Sequence, residues 1–230
     1  TTNTKTRNDV ALHRNLVHSK TLAKALRDRS EALNEGRLLT VPFRTVDEYL
    51  AKLQLCAMSL SATHAMAMFY LAAAVSDFYI PLSERSEHKI QSGENEDGLI
   101  VRLKPVPKVM GLLRKSWAPN AFVVSFKLET DSDILRKKAK KAVDKYGSHM
   151  VIGNLLQSRH EKVYILAPDD FTAKWPTNAD EWAMTELTRS QSTDSLESSI
   201  IDFVVQSHFE FMSWHYNIRG SGLETVKRAQ

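Results

Sequence analysis

The first 36 residues carry a stripe of apolar and small side chains with the period of an α-helix. The stripe recurs at alternating steps of four and three residues: Leu12, Leu16, Ser19, Ala23, Leu26, Ser30 and Leu33. This spacing places the side chains on one face of a helix. Asn8 or Asp9 is a suitable N-cap, and Gly36 is a suitable C-terminal end. The pattern predicts a long helix that packs along a domain.

From residue 38 to residue 77 the pattern changes from strand to helix and back to strand. Leu38–Phe43 is predicted to be a strand. Thr45 and Glu48 have the spacing of a capping box, so they predict the start of a helix. The run Met66–Val75 is almost continuously apolar and is followed by Ser76-Asp77. A strand that is buried on both faces has this composition.

The remainder of the chain alternates predicted strands with predicted helices. Strands are predicted at Leu99–Leu103, Ala121–Phe126, Met150–Gly153 and Lys162–Leu166. Helices are predicted from Pro107 to about Trp117, from Asp131 or Ser132 to Gly147, and from Asp194 onward. Residues 168–193 are rich in Pro, Asp and Thr, which indicates a loop or a marginal helix. The alternation predicts an α/β fold with a mostly parallel sheet.

Length and composition fit one compact domain with an appendage. The chain has 230 residues, of which 43% are hydrophobic, and this is enough to form a sizeable core. We expect a helical segment at 1–37, an α/β domain at 38–218 and a tail at 219–230. No run of about 18 uncharged apolar residues occurs, so no membrane-spanning segment is predicted.

Charge and cysteine content narrow the possible partners and the compartment. The net charge of +4 comes largely from the basic run at residues 136–141, which a helix would present to solvent. No aromatic residues interleave with this run, so nucleic acid is not expected as a partner. The single cysteine, Cys56, cannot form an internal disulfide. It favours a reducing compartment, the cytoplasm, with the nucleus as an alternative.

Polar residues follow several of the predicted strands. In an open α/β sheet, ligands bind at the carboxyl ends of the strands. Asp77 follows the first buried strand, Lys89 lies in the polar loop after it, Phe126 and Lys127 end the next strand, and Asn154 ends a third. Together they predict a nucleotide-binding site. Taken singly, each also has a structural interpretation: an N-cap, a surface lysine, a core aromatic or a turn residue.

Other well-known catalytic and binding motifs do not occur in this sequence. It contains neither GxGxxG nor GxxxxGK[ST], so both common phosphate-binding loops are missing. It also has no HExxH and no GxSxG motif. His208 and His215 lie seven residues apart on the predicted last helix, and this spacing does not favour a metal site. We therefore predict no metal-binding residues.

Four sequence blocks closely resemble the eukaryotic phosphopantothenate–cysteine ligases. The blocks are Phe69–Tyr79, Glu87–Ser92, Ala121–Asp131 and Val151–Arg159, in the family's order and at similar spacing. The resemblance runs from about Phe43 to Leu166 and continues more loosely through the last helix. It implies a Rossmann-like, three-layer α/β/α domain and a homodimer.

The resemblance also implies a reaction and its co-substrates. Members of the family activate the carboxylate of 4'-phosphopantothenate with a nucleoside triphosphate, which gives an acyl-nucleotidylate and pyrophosphate. The amine of cysteine then attacks the acyl carbon. Eukaryotic members that carry the Ser125–Thr130 version of the block generally prefer ATP, whereas bacterial relatives use CTP. Mg²⁺ is expected with the triphosphate, held largely by phosphate oxygens and water.

The resemblance also assigns site residues, one matched position at a time. By resemblance, Ala73, Ala74 and Asp77 match positions that hold phosphopantothenate. Lys89 matches the loop lysine associated with catalysis, where positive charge stabilises the leaving pyrophosphate and the oxyanion. Nucleotide-binding positions are Phe126, Lys127 and Asn154.

One part of the family's pattern is not found. Family members begin with a Gly-Gly-Thr turn and an Asn-Phe-Ser-Ser-Gly segment, and neither occurs upstream of Thr45. These segments supply backbone amides for the phosphates. We therefore expect a ligase domain that is incomplete on its N-terminal side. The alternative hypothesis is a non-catalytic regulatory or scaffold protein derived from the ligase fold.

Overall fold

The computed structural model describes residues 20–86, 88, 100–168, 182–189 and 195–216. The chain divides into two compact units, residues 1–44 and residues 45–230. The domain boundaries expected at 37/38 and 218/219 stay predictions. Within the described residues no helix is long and apolar enough to cross a membrane.

The described part of the first unit contains one helix, α1, which spans Lys20–Asn34. Gly36 follows it with a left-handed backbone, φ +69°, and the amide of Arg37 donates to the carbonyl of Ala32 at 2.8 Å. This is the usual glycine-dependent end of a helix. The predicted helix is confirmed over Lys20–Asn34, with its end, while its predicted first part and the predicted caps Asn8 and Asp9 lie outside the described residues.

The strand predicted at Leu38–Phe43 is wrong. These residues form no regular structure, and the side chain of Leu39 is 84% exposed. An extended segment becomes a strand only when a neighbouring strand supplies hydrogen bonds. No described strand pairs with this segment, so its apolar composition alone does not make it part of a sheet.

The second unit is an α/β domain. Its strands are β1 Met68–Leu71, β2 Phe78–Tyr79, β3 Lys104–Pro105, β4 Phe122–Glu129, β5 Met150–Leu155, β6 Lys162–Pro168 and β7 Trp182–Thr188. Its helices are α2 Val46–Leu60, α3 Val109–Leu112, α4 Ser132–Tyr146 and α5 Leu196–His215. A π-helical turn, Leu113–Trp117, continues α3. The predicted fold class is confirmed.

Five of the described strands form one sheet, in the order β1-β4-β5-β6-β7. β1, β4 and β5 pair in parallel. β6 is antiparallel to β5, and β7 is antiparallel to β6. β7 therefore runs in the same direction as β5, so only β6 opposes the other four strands. The sheet is mostly parallel in direction, as predicted.

The helices whose ends were predicted most accurately are those that have clear capping residues. The Oγ1 of Thr45 accepts from the amide of Glu48 at 3.2 Å and starts α2. The Oδ1 of Asp131 accepts from the amides of Asp133 and Ile134, both at 2.9 Å, and starts α4. Gly147 ends α4 at φ +69°. The N-cap of α5 is Ser195, whereas Asp194 lies outside the described residues.

Two predicted strands and one predicted loop differ from the observed structure. The run Met66–Val75 contributes only the four residues of β1, which lie at one end of the sheet's strand order and are only partly buried. Of the strand expected at Leu99–Leu103, residues 100–103 form no regular structure and Leu99 lies outside the described residues. A strand forms instead at Lys104–Pro105, where it pairs with β2. The loop expected at 168–193 contains β7, which was missed because Thr185 and Glu186 interrupt the apolar alternation.

Helices cover both faces of the sheet, as a three-layer domain requires. On one face, α5 packs on a cluster that we call the α5 cluster. Its buried members are Ala65, Phe122, Val124, Met150, Ile152, Val163, Ile165, Ala167, Leu196, Ile200, Val204 and Phe211. On the other face, Ala57 of α2 and Leu113 pack against Phe69 and Val123, and α4 packs against Val151 and Leu166.

The contact between α4 and β5 is very close at one point. Gly153 lies in β5, and a Cβ atom built on it would approach the Cδ1 of Leu135 to 2.9 Å. Leu135 is almost completely buried, so a side chain at position 153 would require the end of the Leu135 side chain to shift. Glycine at 153 lets the start of α4 lie directly on the strand.

Candidate functional site

A cavity of about 420 Å³ opens at the carboxyl ends of β1 and β4. We call it the β1–β4 cavity. Its walls are residues 73–77 after β1, residues 125–129 of β4, residues 106–110 before and within α3, and part of α2. A cavity in this position agrees with the rule that open α/β sheets bind ligands beyond the carboxyl ends of their strands.

The wall after β1 exposes its backbone. β1 ends at Leu71, and Ala72–Ser76 adopt no regular structure and are exposed. Ala73 and Ala74 line the cavity, and their methyl side chains leave the main-chain groups accessible. The Oγ of Ser76 donates to the carbonyl of Phe78 at 2.8 Å, which holds the turn toward β2. This wall can form hydrogen bonds with a ligand through its backbone.

Four charged side chains lie along the cavity walls. Asp77 forms an ion pair with Lys108, with Oδ1 and Nζ 3.3 Å apart. Glu129 pairs with Lys138 of α4 at 2.7 Å, outside the cavity lining. The ammonium group of Lys127 has no hydrogen-bond or ion-pair partner within the described part of the chain. A half-buried cation without a partner is suited to binding an anion.

A tyrosine lies on the helical wall. Tyr49 of α2 lines the cavity, and burial raises the pKa of its hydroxyl above the ordinary value. The group therefore stays protonated at neutral pH and can donate a hydrogen bond. Leu50 and Leu53 lie beside it and make this wall partly apolar.

The α3 wall is held in place by an arginine. Arg114 lies in the π-helical turn and donates through Nε to the carbonyl of Gly147 at 2.8 Å. It also contacts the carbonyl oxygens of Pro119 and Ala121, and burial lowers its pKa. These bonds connect the end of α3 with the end of α4, where Tyr146 lines the same cavity.

Phe126 and Asn154 lie mainly on the other face of the sheet. Phe126 packs on the α5 cluster and meets the ring of Tyr70 edge-on, with centroids 4.9 Å apart. Asn154 is opposite Leu128 in the strand register. Its Oδ1 atom is buried without a hydrogen-bond partner. A buried acceptor without a donor is costly, so this atom is suited to a ligand N–H or O–H group.

Comparison with known protein families identifies relatives of this chain. Residues 44–191, more than half of the chain, match the model of the DNA/pantothenate metabolism flavoprotein C-terminal domain. The chain belongs to this family.

Similar proteins carry one activity in their names. Phosphopantothenate–cysteine ligase 1 of Oryza sativa subsp. japonica is 42% identical over 195 residues, covering 85% of this chain and 56% of the relative. The human phosphopantothenate–cysteine ligase is 48% identical over 150 residues, covering 65% and 48%. The chain thus spans about half the length of the curated relatives it matches.

A solved structure supports the fold assignment. A mutant of Cab2 in complex with phosphopantothenate-cysteine is 36% identical and superposes with a TM-score of 0.74, covering 89% of this chain and 63% of that one. The Rossmann-like fold expected from the resemblance is therefore confirmed for this member of the DNA/pantothenate metabolism flavoprotein C-terminal domain family.

The structure of this family member brings together five of the predicted site residues around one cavity. These residues are Ala73, Ala74, Asp77, Phe126 and Lys127. Asn154 lies at the same end of the sheet, on the strand beside β4, but does not line the cavity. Lys89 lies outside the described residues. Phe126 and Lys127 do not end their strand as predicted, because β4 continues to Glu129.

The segment that precedes Lys89 is connected to α2. Arg85 donates through Nη2 to Asp47 at 2.5 Å and through Nε to the carbonyl of Ile80 at 2.8 Å. Lys104 of β3 pairs with Glu84. These contacts fix residues 80–85 against the start of α2, whose next turn carries Tyr49.

Sequence reasoning missed several residues of the site in this family member. Tyr49, Lys108 and Glu129 line the cavity but were not predicted. Glu129 had a usable signal, since it continues the alternation Ser125, Lys127, Glu129 on one face of β4. Tyr49 and Lys108 approach the cavity through helix packing and the β2–β3 pair, which no local pattern encodes.

His208 has a structural partner. Its Nε2 donates to the carbonyl of Ala65 at 2.7 Å, and burial lowers its pKa. In the described ranges, no three His, Cys, Asp or Glu side chains are close enough to hold a metal ion. His208 thus connects α5 to the segment before β1.

Proposed function

We propose that this chain acts as a phosphopantothenate–cysteine ligase of coenzyme A biosynthesis. The observation that supports this function best is the β1–β4 cavity, in which accessible backbone, a carboxylate acceptor and an unpaired cation face one space. Relatives with this activity in their names match the chain across that region. The reaction joins the carboxyl group of phosphopantothenate to the amine of cysteine.

Phosphopantothenate is the ligand we propose for the wall after β1. It carries amide and hydroxyl groups that can pair with main-chain groups of Ala73 and Ala74 and with the carboxylate of Asp77. The Asp77 side chain is largely exposed, so it can accept such a bond without losing a partner in the protein core. Tyr49 supplies a further donor from the opposite wall.

ATP is the nucleotide we propose, with CTP as the alternative. The unsatisfied Oδ1 of Asn154 suits a hydroxyl or amino donor of the nucleotide. Phe126 offers an aromatic ring, and Lys127 offers a positive charge for a phosphate. Mg²⁺ would accompany the triphosphate and would be held mainly by phosphate oxygens and water, as this ion prefers.

Lys89 is the catalytic residue in this proposal. Its ammonium group would stabilise the negative charge that develops on the oxyanion and on the leaving pyrophosphate, and such stabilisation is usually a large part of catalysis. Once the carboxyl group is activated, the cysteine amine attacks the acyl carbon, and the nucleoside monophosphate leaves. The product contains a new amide bond.

A homodimer and a cytoplasmic location complete the proposal. The first rests on the resemblance to the ligases, and the second rests on the single cysteine, Cys56. Light scattering coupled to size-exclusion chromatography measures the molar mass in solution. A mass near that of one chain contradicts the homodimer.

Pyrophosphate release tests the proposed function directly. The purified full chain is assayed with ATP, 4'-phosphopantothenate and cysteine, beside Lys89→Ala. We expect cysteine-dependent turnover in the wild type and a loss of at least about a hundredfold in the variant, as for removal of one oxyanion donor. Lys115→Ala is the matched control, because Lys115 is exposed and does not line the cavity.

Two results would contradict the ligase. One is no turnover in a sample whose circular dichroism shows a folded chain, which would favour the non-catalytic scaffold. The other is equal activity of Lys89→Ala and the wild type, which would remove Lys89 from the catalytic machinery.

A further inference from the structure

An ion pair at the rim of the β1–β4 cavity has no role in the function proposed so far. Lys108 lies between β3 and α3, at the N-cap position of α3. Its Nζ atom is 3.3 Å from Oδ1 of Asp77. The amide of Val106 donates to the carbonyl of Asp77 at 2.9 Å. The side chain of Lys108 and the nearby backbone of Val106 therefore both contact Asp77.

The pairing of β2 with β3 brings Asp77 and Lys108 close together. Phe78 pairs with Pro105, and Tyr79 pairs with Lys104. The antiparallel register makes the chain entering β2 and the chain leaving β3 neighbours, so Asp77 and Lys108 come to the same side of the cavity. Both side chains line it. The backbone pairing thus brings the two residues close together.

Folding stability does not explain the pair. The side chains of Lys108 and Asp77 are 59% and 80% exposed, and exposed ion pairs contribute little because water competes for both charges. A ligand in the cavity would displace that water, and the attraction between the two charges would then become stronger. The pair is placed to act when the cavity is filled.

The carboxylate of Asp77 has a second oxygen for a ligand. Lys108 approaches Oδ1, and no other group in the described residues forms a hydrogen bond or ion pair with Asp77 through its carboxylate. We infer that Lys108 is a positioning residue for the ligase reaction: it fixes the Asp77 carboxylate so that Oδ2 accepts a hydrogen bond from phosphopantothenate. This inference rests on the proposed function, since it requires phosphopantothenate in the cavity.

A double-mutant cycle on the full chain tests this role. The variants are Lys108→Met, Asp77→Asn and the double variant, and the probe is 4'-phosphopantothenate in isothermal titration calorimetry. Methionine keeps most of the side-chain length without the charge. We expect each single variant to weaken binding about five- to tenfold and the double variant to bind no worse than Asp77→Asn, because coupled residues are non-additive.

Conservative and distant variants complete the design. Lys108→Arg should recover most of the affinity, because arginine restores the charge beside Oδ1, whereas a mere loss of packing would not depend on charge. Lys115→Met is the matched control, since Lys115 is exposed and does not line the cavity. Thermal unfolding should be the same for Lys108→Met and wild type.

The outcomes separate this inference from the proposed function. If the wild type binds phosphopantothenate and Lys108→Met binds it with the same affinity, the positioning role is overturned. The proposed function then still stands. Losses that multiply in the double variant also overturn the positioning role, because they show that Lys108 acts without Asp77. If the folded wild type does not bind phosphopantothenate at all, the proposed function fails and the inference fails with it.

Discussion

The two faces of β4 have different surroundings: alternate residues of the strand pack in the core or line the cavity. Phe122 and Val124 point into the α5 cluster and are completely buried. Ser125 and Lys127 point to the other face and line the β1–β4 cavity. The α5 face thus contains closely packed aromatic and aliphatic side chains, whereas the cavity face ends in polar side chains that are only partly satisfied. The α5 face is packed along its length, whereas the other face is packed at Val123 and is available to a ligand from Ser125 onward.

The difference predicts that substitutions on the two faces affect different properties. Substitutions in the α5 cluster should reduce the free energy of unfolding, while substitutions at the cavity should change ligand binding with little effect on stability. Proteins commonly show such a division, because binding sites keep groups that are not optimal for folding.

The largest effect is expected from Phe122→Ala. The ring is fully buried and lies 5.2 to 5.4 Å, between centroids, from the rings of Phe211, His208 and His149. We expect a loss of about 3–5 kcal/mol in the free energy of unfolding, from lost burial and the remaining cavity.

Urea denaturation followed by circular dichroism measures this loss. Phe209→Ala is the matched control on α5, because that ring is 54% exposed. It should cost less than about 1 kcal/mol. Equal losses for the two variants would show that the α5 face is not the main core.

A pH dependence of intermediate size is expected from His149. This side chain is buried between β4 and α5, and its Nδ1 accepts from the amide of Val123 at 3.0 Å. Burial, assisted by the nearby Arg114 and His208, lowers its pKa well below the ordinary value of 6.5. The folded state therefore binds the proton less readily than the unfolded state. Stability is complete above the unfolded pKa and is lost as pH falls below it.

Unfolding curves between pH 7 and pH 5 measure this dependence. We expect the free energy of unfolding to fall by up to about 1.4 kcal/mol per pH unit for each proton taken up on unfolding. His208, whose pKa is also lowered, contributes in the same direction. In His149→Gln the slope should be smaller; an unchanged slope would assign the pH dependence to other groups.

The smallest effect on stability is expected from Lys127→Met on the cavity face. The ammonium group has no partner among the described residues, so removing its charge breaks no ion pair. We expect a change within about 0.5 kcal/mol in the free energy of unfolding, together with weaker nucleotide binding in calorimetry. A loss comparable with that of Phe122→Ala would contradict the distinction between the faces.

Local signals in the sequence were enough for much of the fold. β4 was predicted because its first residues are continuously apolar, and α4 was predicted because Asp131 caps it and Gly147 ends it. β7 was missed because its identity depends on pairing with β6, for example Tyr164 with Glu186. Strand partners are determined by tertiary structure and leave little trace in a short polar segment.

The candidate site was predictable in location but not in its internal arrangement. Asp77, Phe126, Lys127 and Asn154 meet at one end of the sheet because parallel strands share their carboxyl edge. However, Phe126 and Lys127 are consecutive, so a strand must send their side chains to opposite faces. Lys108 could not be predicted, because the β2–β3 pair brings it to Asp77 from a distant part of the chain.

The close approach of α4 to β5 has an evolutionary consequence. Because a methyl group at Gly153 would collide with Leu135, a mutation at either position constrains the other. An alanine at 153 requires the end of the Leu135 side chain to shift, so a shorter residue at 135 would make that substitution easier.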